Sequence, residues 1–442
     1  MKDIPVLNIT RVHLYPKCVI LTILNKCNYY ITNDGWKILK LCDGTNDEQA
    51  IVKIISDLYD INAEKVSMFL HKAKKYNIIR YQKEYQKVTF SIYGNADISY
   101  PQGVSIELTK KCNLKCNYCY GDYKPTLTDT ISYDILEKLY SQLENIGTTT
   151  VELTGGEPLM HPDFKKILSL SLQKFKKVNL LSNGVLFDDE IFEIIENNKQ
   201  KMYFQISIDG ATESSNRSIR GIRNTWKKTL TTLKRLQNLD CHYRVPFMVT
   251  KQNTHEMELI CNLFAKENLH NLIFSQVTQL GRACDSRNCG FSELESSYIY
   301  DNSKDLYIKY PDLFYKLPND VDGIRINNGC GAGWQQMAIS SSGSVDACLL
   351  FDGHGNIGNI NEEDFLDICN SEKVRFYTHF TIDPNNNKCS VCKYHNYCGT
   401  CLVRIYAANV KRIRESEGLC EIVLQNGMSD LFNFDSDFKF NI

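Results

Sequence analysis

Three cysteines stand at Cys112, Cys116 and Cys119, a C-x3-C-x2-C run within CNLKCNYC. Three thiolates on one loop can hold three irons of a 4Fe–4S cluster and leave the fourth iron open. An open iron is what a cluster needs to bind a small molecule directly. The competing reading of such a run is a zinc site short of its fourth ligand. A second set lies toward the C-terminus. Cys330 and Cys348 fit C-x12-G-x4-C around Gly343, Cys389, Cys392, Cys398 and Cys401 fit C-x2-C-x5-C-x2-C, and Cys420 follows after a gap. The chain holds 18 cysteines in 442 residues and begins with no basic, apolar and small-residue signal pattern. Metal or redox chemistry is therefore the stronger explanation of the cysteines, and disulfides the weaker.

Short polar groups end the apolar runs between these two sets. Gly155-Gly156-Glu157-Pro158 follows TTVELT. Its glycines would let backbone approach a ligand, and Glu157 is a candidate for binding an amino group. Ser182-Asn183-Gly184 ends the next run, and Ser207 and Asp209 end the one after; such side chains suit hydroxyl or carboxylate groups. Arg220 is a candidate carboxylate partner. Polar strand ends are common, so the weight lies in the series rather than in any one member.

The elements that must position these groups alternate. Strands are expected at GVSIELT, TTVELTG, KVNLLSN, MYFQISID, YRVPFMVT and NLIFSQVT, with helices near 132–145, 162–174, 188–198, 224–238 and 254–267. Repeated β-α units imply a parallel sheet with helices outside it. Only six units are visible, which argues against a complete eight-unit barrel. Ligands of such sheets bind at the carboxyl ends of the strands, where the polar series falls. After about 283 the periodicity weakens into Gly- and Asn-rich turns with cysteines, a segment expected to need metal to fold.

Residues 1–95 have their own rhythm. CVILTIL and YYIT, broken at Asn25-Lys26, read as a hairpin. A helix follows with Asp34 as its expected cap and Trp36, Ile38, Leu39, Leu41 and Cys42 as its apolar stripe. Thr45 and Glu48 are spaced as a capping box for a helix near 47–59, and another is expected near 63–77. Strands plus three helices on this scale fit a winged helix-turn-helix.

Composition sets outer limits. Hydrophobic residues make up 43%, charged residues 23%, and the formal net charge is −1. No apolar run reaches the roughly 20 residues of a membrane span, so no membrane role and a cytoplasmic location are expected. The whole-chain charge makes no case for nucleic acid.

The first cysteine run, with Tyr118 just before its last cysteine, resembles the signature of the radical S-adenosylmethionine (SAM) enzymes. The resemblance covers roughly 100–280 and extends to the GGEP segment and the strand-end series. It implies an α/β fold with a partial (β/α)6 barrel. It also implies SAM held by Tyr118, Gly155, Gly156, Glu157, Ser182, Asn183, Ser207, Asp209 and Arg220, and chelated to the open iron of a cluster on Cys112, Cys116 and Cys119. The later cysteines are similar to the SPASM extension of radical SAM enzymes that modify peptides, although that extension usually has x3 before its last clustered cysteine. By resemblance, Cys389, Cys392, Cys398 and Cys420 would hold one auxiliary cluster and Cys330, Cys348 and Cys401 part of another, making three 4Fe–4S clusters. Some relatives carry a further cysteine shortly before the position of Cys330, but here the preceding GIRINNG has none. Cys284 or Cys289 would fill the place, or one iron would stay open for a substrate thiolate. Cys18, Cys27, Cys42, Cys241, Cys261 and Cys369 read as small buried hydrophobes.

The stretch ending ILKLCDGT resembles the domain that recognises the leader of ribosomally made peptides, a winged helix that pairs its exposed strand with the leader. Here the edge strand within Lys17–Thr32 and the helix at 63–77 would form the groove. A DNA-binding winged helix is the rival, since residues 1–95 hold 14 Lys/Arg against 9 Asp/Glu. Fusion to a radical enzyme favours the peptide over nucleic acid. The expected organisation is a recognition domain at 1–95, a radical SAM partial barrel at 96–282, a bridging region at 283–329 and a SPASM domain at 330–442. The expected activity is sactipeptide-type thioether formation on a precursor peptide, fed by a donor such as flavodoxin or ferredoxin. Carbon–carbon crosslinking, peptide splicing and residue oxidation use the same machinery, and the reading of another class is a metal-dependent DNA-binding regulator. No catalytic acid or base is nameable from the sequence.

Overall fold

The structure, a computed structural model, describes residues 3–23, 28–95, 97–278, 280–285, 289, 291–316, 331–380, 387–394, 398 and 401–425. Cys330, the GIRINNG stretch, the Asn25-Lys26 turn, Cys27 and the Cys284 side chain lie outside the described residues. The chain divides into two compact units, whose described residues fall within Met1–Tyr100 for the first and within Pro101–Lys316 and Gly329–Ile442 for the second.

The first unit opens with four strands, β1 (Ile4–Leu7), β2 (Ile9–Leu14), β3 (Val19–Ile23) and β4 (Asn28–Ile31). Helices Asn33–Leu39, Glu48–Tyr59 and Ala63–Lys75 follow, then β5 (Ile79–Gln82) and β6 (Ser91–Tyr93). β3 and β4 pair antiparallel with Val19 opposite Ile31, the expected hairpin. The sheet order is β4-β3-β2-β6, which leaves β4 at an edge, and β1 pairs separately with β5. Two expected caps are corrected. Thr32, not Asp34, caps the first helix, accepting the Gly35 N–H at 3.0 Å, because its extended backbone (φ −72°, ψ 158°) leaves its hydroxyl free to turn inward. Asp47, not Thr45, caps the second, accepting the Ala50 N–H at 2.9 Å, while Thr45 is held in a local turn by Asp43. Ile38, Leu39, Ile51, Ile55, Val66 and Leu70 from the three helices share one buried core with Cys42, which follows the first helix because that helix ends at Leu39, short of the expected Leu41 and Cys42.

The second unit contains six parallel strands: β7 (Gly103–Glu107), β8 (Thr150–Thr154), β9 (Lys177–Ser182), β10 (Met202–Ile206), β11 (His242–Val249) and β12 (Leu272–Gln276). Helices Tyr133–Asn145, Phe164–Lys174, Asp189–Asn198, Trp226–Asn238 and Met257–Lys266 connect them, with an additional helix at Glu213–Arg220. Three further strands, β13 (Gln336–Ile339), β14 (Ser344–Asp346) and β15 (Asn356–Asn359), extend this sheet from the β7 side. β13 runs parallel to β7 with Gln336 opposite Gly103, so the start of the cysteine-rich region is continuous with the parallel sheet.

The strands have two unlike faces. Val104, Ile106, Val151, Leu153, Val178, Leu180, Phe204, Ile206, Val245 and Phe247 are completely or almost completely buried. The alternate positions, among them Ser105, Glu152, Asn179, Gln205 and Arg244, are partly exposed and polar. Period-2 alternation places these two sets on opposite sides of the sheet. One face carries the core, and Glu152, Gln205 and Arg244 of the other line a cavity.

The helix Glu293–Lys309 has no counterpart among the expected elements. Ile299, Ser303 and Leu306 are its buried positions, so its stripe is narrow and interrupted by a hydroxyl. Its start is marked in the sequence, because Ser292 and Glu295 form a reciprocal capping box.

Candidate active site

The loop after β7 carries Cys112, Cys116 and Cys119, and neighbouring backbone holds it on several sides. Lys115 N–H donates to the Arg220 carbonyl at 3.1 Å and Asn117 N–H to the Ile219 carbonyl at 3.0 Å, both at the end of the helix Glu213–Arg220. Gly156 N–H donates to the Thr109 carbonyl at 2.7 Å, and Glu157 N–H to the Lys111 carbonyl at 2.9 Å. The glycines of the GGEP segment serve this close approach. A Cβ on Gly155, whose φ is +135°, would stand 2.4 Å from the Thr109 oxygen, and one on Gly156 would stand 2.4 Å from the Lys111 oxygen. On the third side Arg282 N–H donates to the Cys119 carbonyl at 2.9 Å. Its side chain reaches the Cys116 carbonyl at 2.7 Å, the Tyr123 carbonyl at 3.0 Å and Asp122 at 2.6 Å.

The three cysteines open on one cavity of about 620 Å³ at the carboxyl ends of the strands. Tyr118, Gly155, Gly156, Ser182, Asn183, Ser207 and Arg220 line it with them. The two remaining sequence candidates stand behind this wall. Glu157 is fully buried, accepting Ser182 Oγ at 2.8 Å, Asn183 N–H at 2.9 Å and Leu159 N–H at 3.3 Å. Burial pushes its carboxyl up to about 7, against the pull of those hydrogen bonds. Asp209 is also fully buried, accepting Arg220 Nε at 2.7 Å, the Tyr118 hydroxyl at 2.6 Å and Met248 N–H at 3.0 Å. Burial alone would lower the Arg220 pKa, but the Asp209 carboxylate beside it outweighs that and holds the guanidinium charged. Glu157 thus shapes the Ser182–Asn183 strand end, and Asp209 fixes Arg220 and Tyr118.

The charged and amide side chains Glu152, Gln205, Arg244 and Arg282 are among the cavity residues that escape the sequence reading. A signal for the first three is present, a polar residue at alternate positions within apolar strands. Arg282 follows the last of the six strands and carries none.

The residues fit an iron–sulfur cluster. Cys112, Cys116 and Cys119 are pushed up by burial, Cys116 to about 12, so their thiolates need a nearby cation of the kind cluster iron supplies. Among the described residues no three Cys, His, Asp or Glu side chains converge on one metal ion. A cubane takes each cysteine at a different iron, so thiols spread along a cavity wall suit it. In the C-terminal set, burial pushes Cys398 up to about 11; Cys420, Cys389 and Cys392 push the same way and Arg404 opposes them. Those four cysteines are the ones grouped by resemblance above. Cys401 precedes the helix Leu402–Arg414 and Cys348 follows β14, while Cys289 is buried. Cys18, Cys42, Cys241, Cys261 and Cys369 are buried as well. Among the described residues no helix is long and apolar enough to cross a membrane.

Comparison with known proteins agrees with this chemistry. Residues 106–264 match the Radical SAM superfamily, and residues 330–401 match the SPASM iron–sulfur cluster-binding domain. The antilisterial bacteriocin subtilosin biosynthesis protein AlbA of Bacillus subtilis is 27% identical over 395 residues, covering 85% of this chain and 84% of the relative. An AdoMet-dependent heme synthase of Methanosarcina barkeri is 27% identical over 339 residues, 71% of this chain and 95% of its own. The solved structure of Streptococcus suis SuiB bound to S-adenosylmethionine shares the fold, with TM-score 0.62 at 16% identity over 94% of this chain and 99% of that one. Residues 106–264 thus read as a radical SAM domain and residues 330–401 as a SPASM domain, and the chain resembles the peptide maturases built on that pair.

Proposed function

We propose that this protein is a maturase that forms a cysteine thioether in a ribosomally made precursor peptide. The observation that carries the reading is the one cavity in which three cysteine thiols, the strand-end polar series and Arg220 share a wall. Cys112, Cys116 and Cys119 would hold the first cluster; Cys389, Cys392, Cys398 and Cys420 a second; and Cys330, Cys348 and Cys401 part of a third. Held there, the first cluster would supply the electron that splits SAM into methionine and a 5′-deoxyadenosyl radical, and the auxiliary clusters would supply an acceptor for the electron released at bond closure. Tyr118, Ser182, Asn183, Ser207 and Arg220 orient SAM, with Glu157 and Asp209 holding that wall in place. One hydrogen leaves a peptide carbon for the radical and one proton leaves the substrate thiol, so each thioether removes two hydrogens.

AlbA is named for making a bacteriocin and matches most of both chains, whereas the heme synthase match covers 71% of this one. SuiB has also been solved bound to its precursor peptide SuiA. These similarities support a peptide substrate. The first unit, with β4 at its sheet edge and the helix Ala63–Lys75, would bind the leader by strand addition. Reduction would come from a flavodoxin or ferredoxin.

The test is anaerobic reconstitution followed by iron, sulfide and zinc analysis, then incubation with SAM, reductant and the small cysteine-rich peptide encoded nearest the gene. About twelve irons per chain, 5′-deoxyadenosine, and a loss of two hydrogens per modified cysteine are expected. About four irons would remove the auxiliary clusters from the scheme. Zinc with little iron and no SAM cleavage would overturn it in favour of a metal-dependent regulator.

A further inference from the structure

Below the strand-end wall the cavity has a second layer. Gln205 on β10 precedes Ser207, just past the strand's end, by two residues, and Glu152 precedes Thr154 by two on β8, so this layer lies about 7 Å farther down the strands. Arg244 on β11 is paired in register with Gln205. Its Nε donates to Gln205 Oε1 at 2.8 Å, the one hydrogen bond of its guanidinium among the described residues. No described carboxylate lies within ion-pair distance of it, in contrast to Arg220, which has Asp209. Glu152 lines the same cavity, accepting Ser105 Oγ at 2.8 Å, and likewise has no described cationic partner. Two opposite charges therefore line one cavity, and among the described residues they do not pair with each other.

A guanidinium in such a cavity is poorly hydrated, and its remaining donors form a fork shaped for a carboxylate. The strand-end layer is already assigned to SAM, whose carboxylate has Arg220. We propose that Arg244, steadied by Gln205, binds a carboxylate of the substrate peptide, an Asp or Glu side chain close in sequence to the modified residue. Glu152 across the cavity repels a second acidic residue and sets the direction in which the peptide lies. This assignment rests on the reading of the chain as a peptide-modifying enzyme and adds the substrate class that the interior accepts.

The experiment uses the full-length reconstituted enzyme with SAM and a pool of synthetic twelve-residue peptides, each with one central cysteine and randomised flanks. Peptides retained under anaerobic conditions are sequenced. Wild type is expected to enrich Asp and Glu in the flanks by about tenfold, the lower range for a charged hydrogen bond. Arg244→Glu should reverse the preference toward Lys and Arg, and Arg244→Lys should keep it in weakened form. Should Arg244→Glu not fold, Arg244→Gln decides, since loss of charge alone should erase the enrichment. An acidic preference that survives in these variants overturns the assignment. So does a loss of SAM binding in peptide-free Arg244→Gln that matches its loss of peptide selection, because Arg244 would then serve SAM. A wild-type enzyme that cleaves no SAM overturns the underlying reading and this assignment with it; one that cleaves SAM yet shows no acidic enrichment overturns this assignment alone.

Discussion

The two cysteine regions differ in what holds them. The loop of Cys112, Cys116 and Cys119 is clamped by backbone hydrogen bonds from the GGEP segment, the end of the helix Glu213–Arg220 and the segment at Gly281–Arg282. In the C-terminal set Cys389 sits on the short helix Asn387–Ser390, Cys401 directly precedes the longer helix Leu402–Arg414, and Cys420 directly precedes the short helix Glu421–Gln425. Their backbone ties are mostly local, such as Cys392 N–H to the Cys389 carbonyl at 3.2 Å and Cys398 N–H to the Tyr394 carbonyl at 3.0 Å. A longer tie runs from Cys420 N–H to Asn409 Oδ1 at 2.7 Å. The first region is held by backbone from three neighbouring segments. The second is held mainly by local ties among the described residues, so it is expected to depend on metal for order.

The largest effect expected from this contrast concerns metal removal. Chelating the iron of the reconstituted protein should open residues 387–425 to limited proteolysis while the 112–119 loop stays protected. Equal cleavage of both would break the comparison. The corresponding substitutions separate chemistry from folding: Cys116→Ala should drop SAM cleavage to background without exposing the C-terminal segment, and Cys398→Ala should expose it.

Gly281→Ala tests the clamp itself. At φ +52° an added Cβ would stand 2.1 Å from the backbone oxygen of Tyr120, so the segment must lift from the loop. Strain of this kind costs about 1–3 kcal/mol. The expected result is loss of about four irons per chain, with the C-terminal clusters retained. Full iron content in this variant would show that the other two clamps suffice.

The smallest effect is a pH dependence that sharpens the picture of a wall built before its ligands. Glu157 holds its proton better folded, at about 7, than at its ordinary value of 4.5. The native state then binds more protons than the unfolded chain across that window, so this group lowers stability as pH rises from about 4.5 to 7 and adds no further loss above. Unfolding of the metal-free protein followed across that range should show the slope in wild type and lose it in Glu157→Gln. An identical slope in both would assign the effect to another group.

Much of the site is legible in the order of residues alone, because its chemistry is local in the chain. Three thiols within eight residues, two adjacent glycines, and polar residues ending apolar runs state what a ligand would meet, and the β-α alternation states where. The helix caps at Thr32 and Asp47 stand two residues before and two residues after their expected positions, since several polar neighbours compete and backbone angles choose among them. Chain order does not reveal which polar groups face the ligand and which stand behind it. Glu157 and Asp209 look like ligand residues in sequence, yet they support Ser182, Asn183, Tyr118 and Arg220 from inside. Glu152, Gln205 and Arg244 look like ordinary strand residues, yet they line the cavity. Only the pairing of six strands in register decides this, because a one-residue shift would turn every one of those side chains to the opposite face.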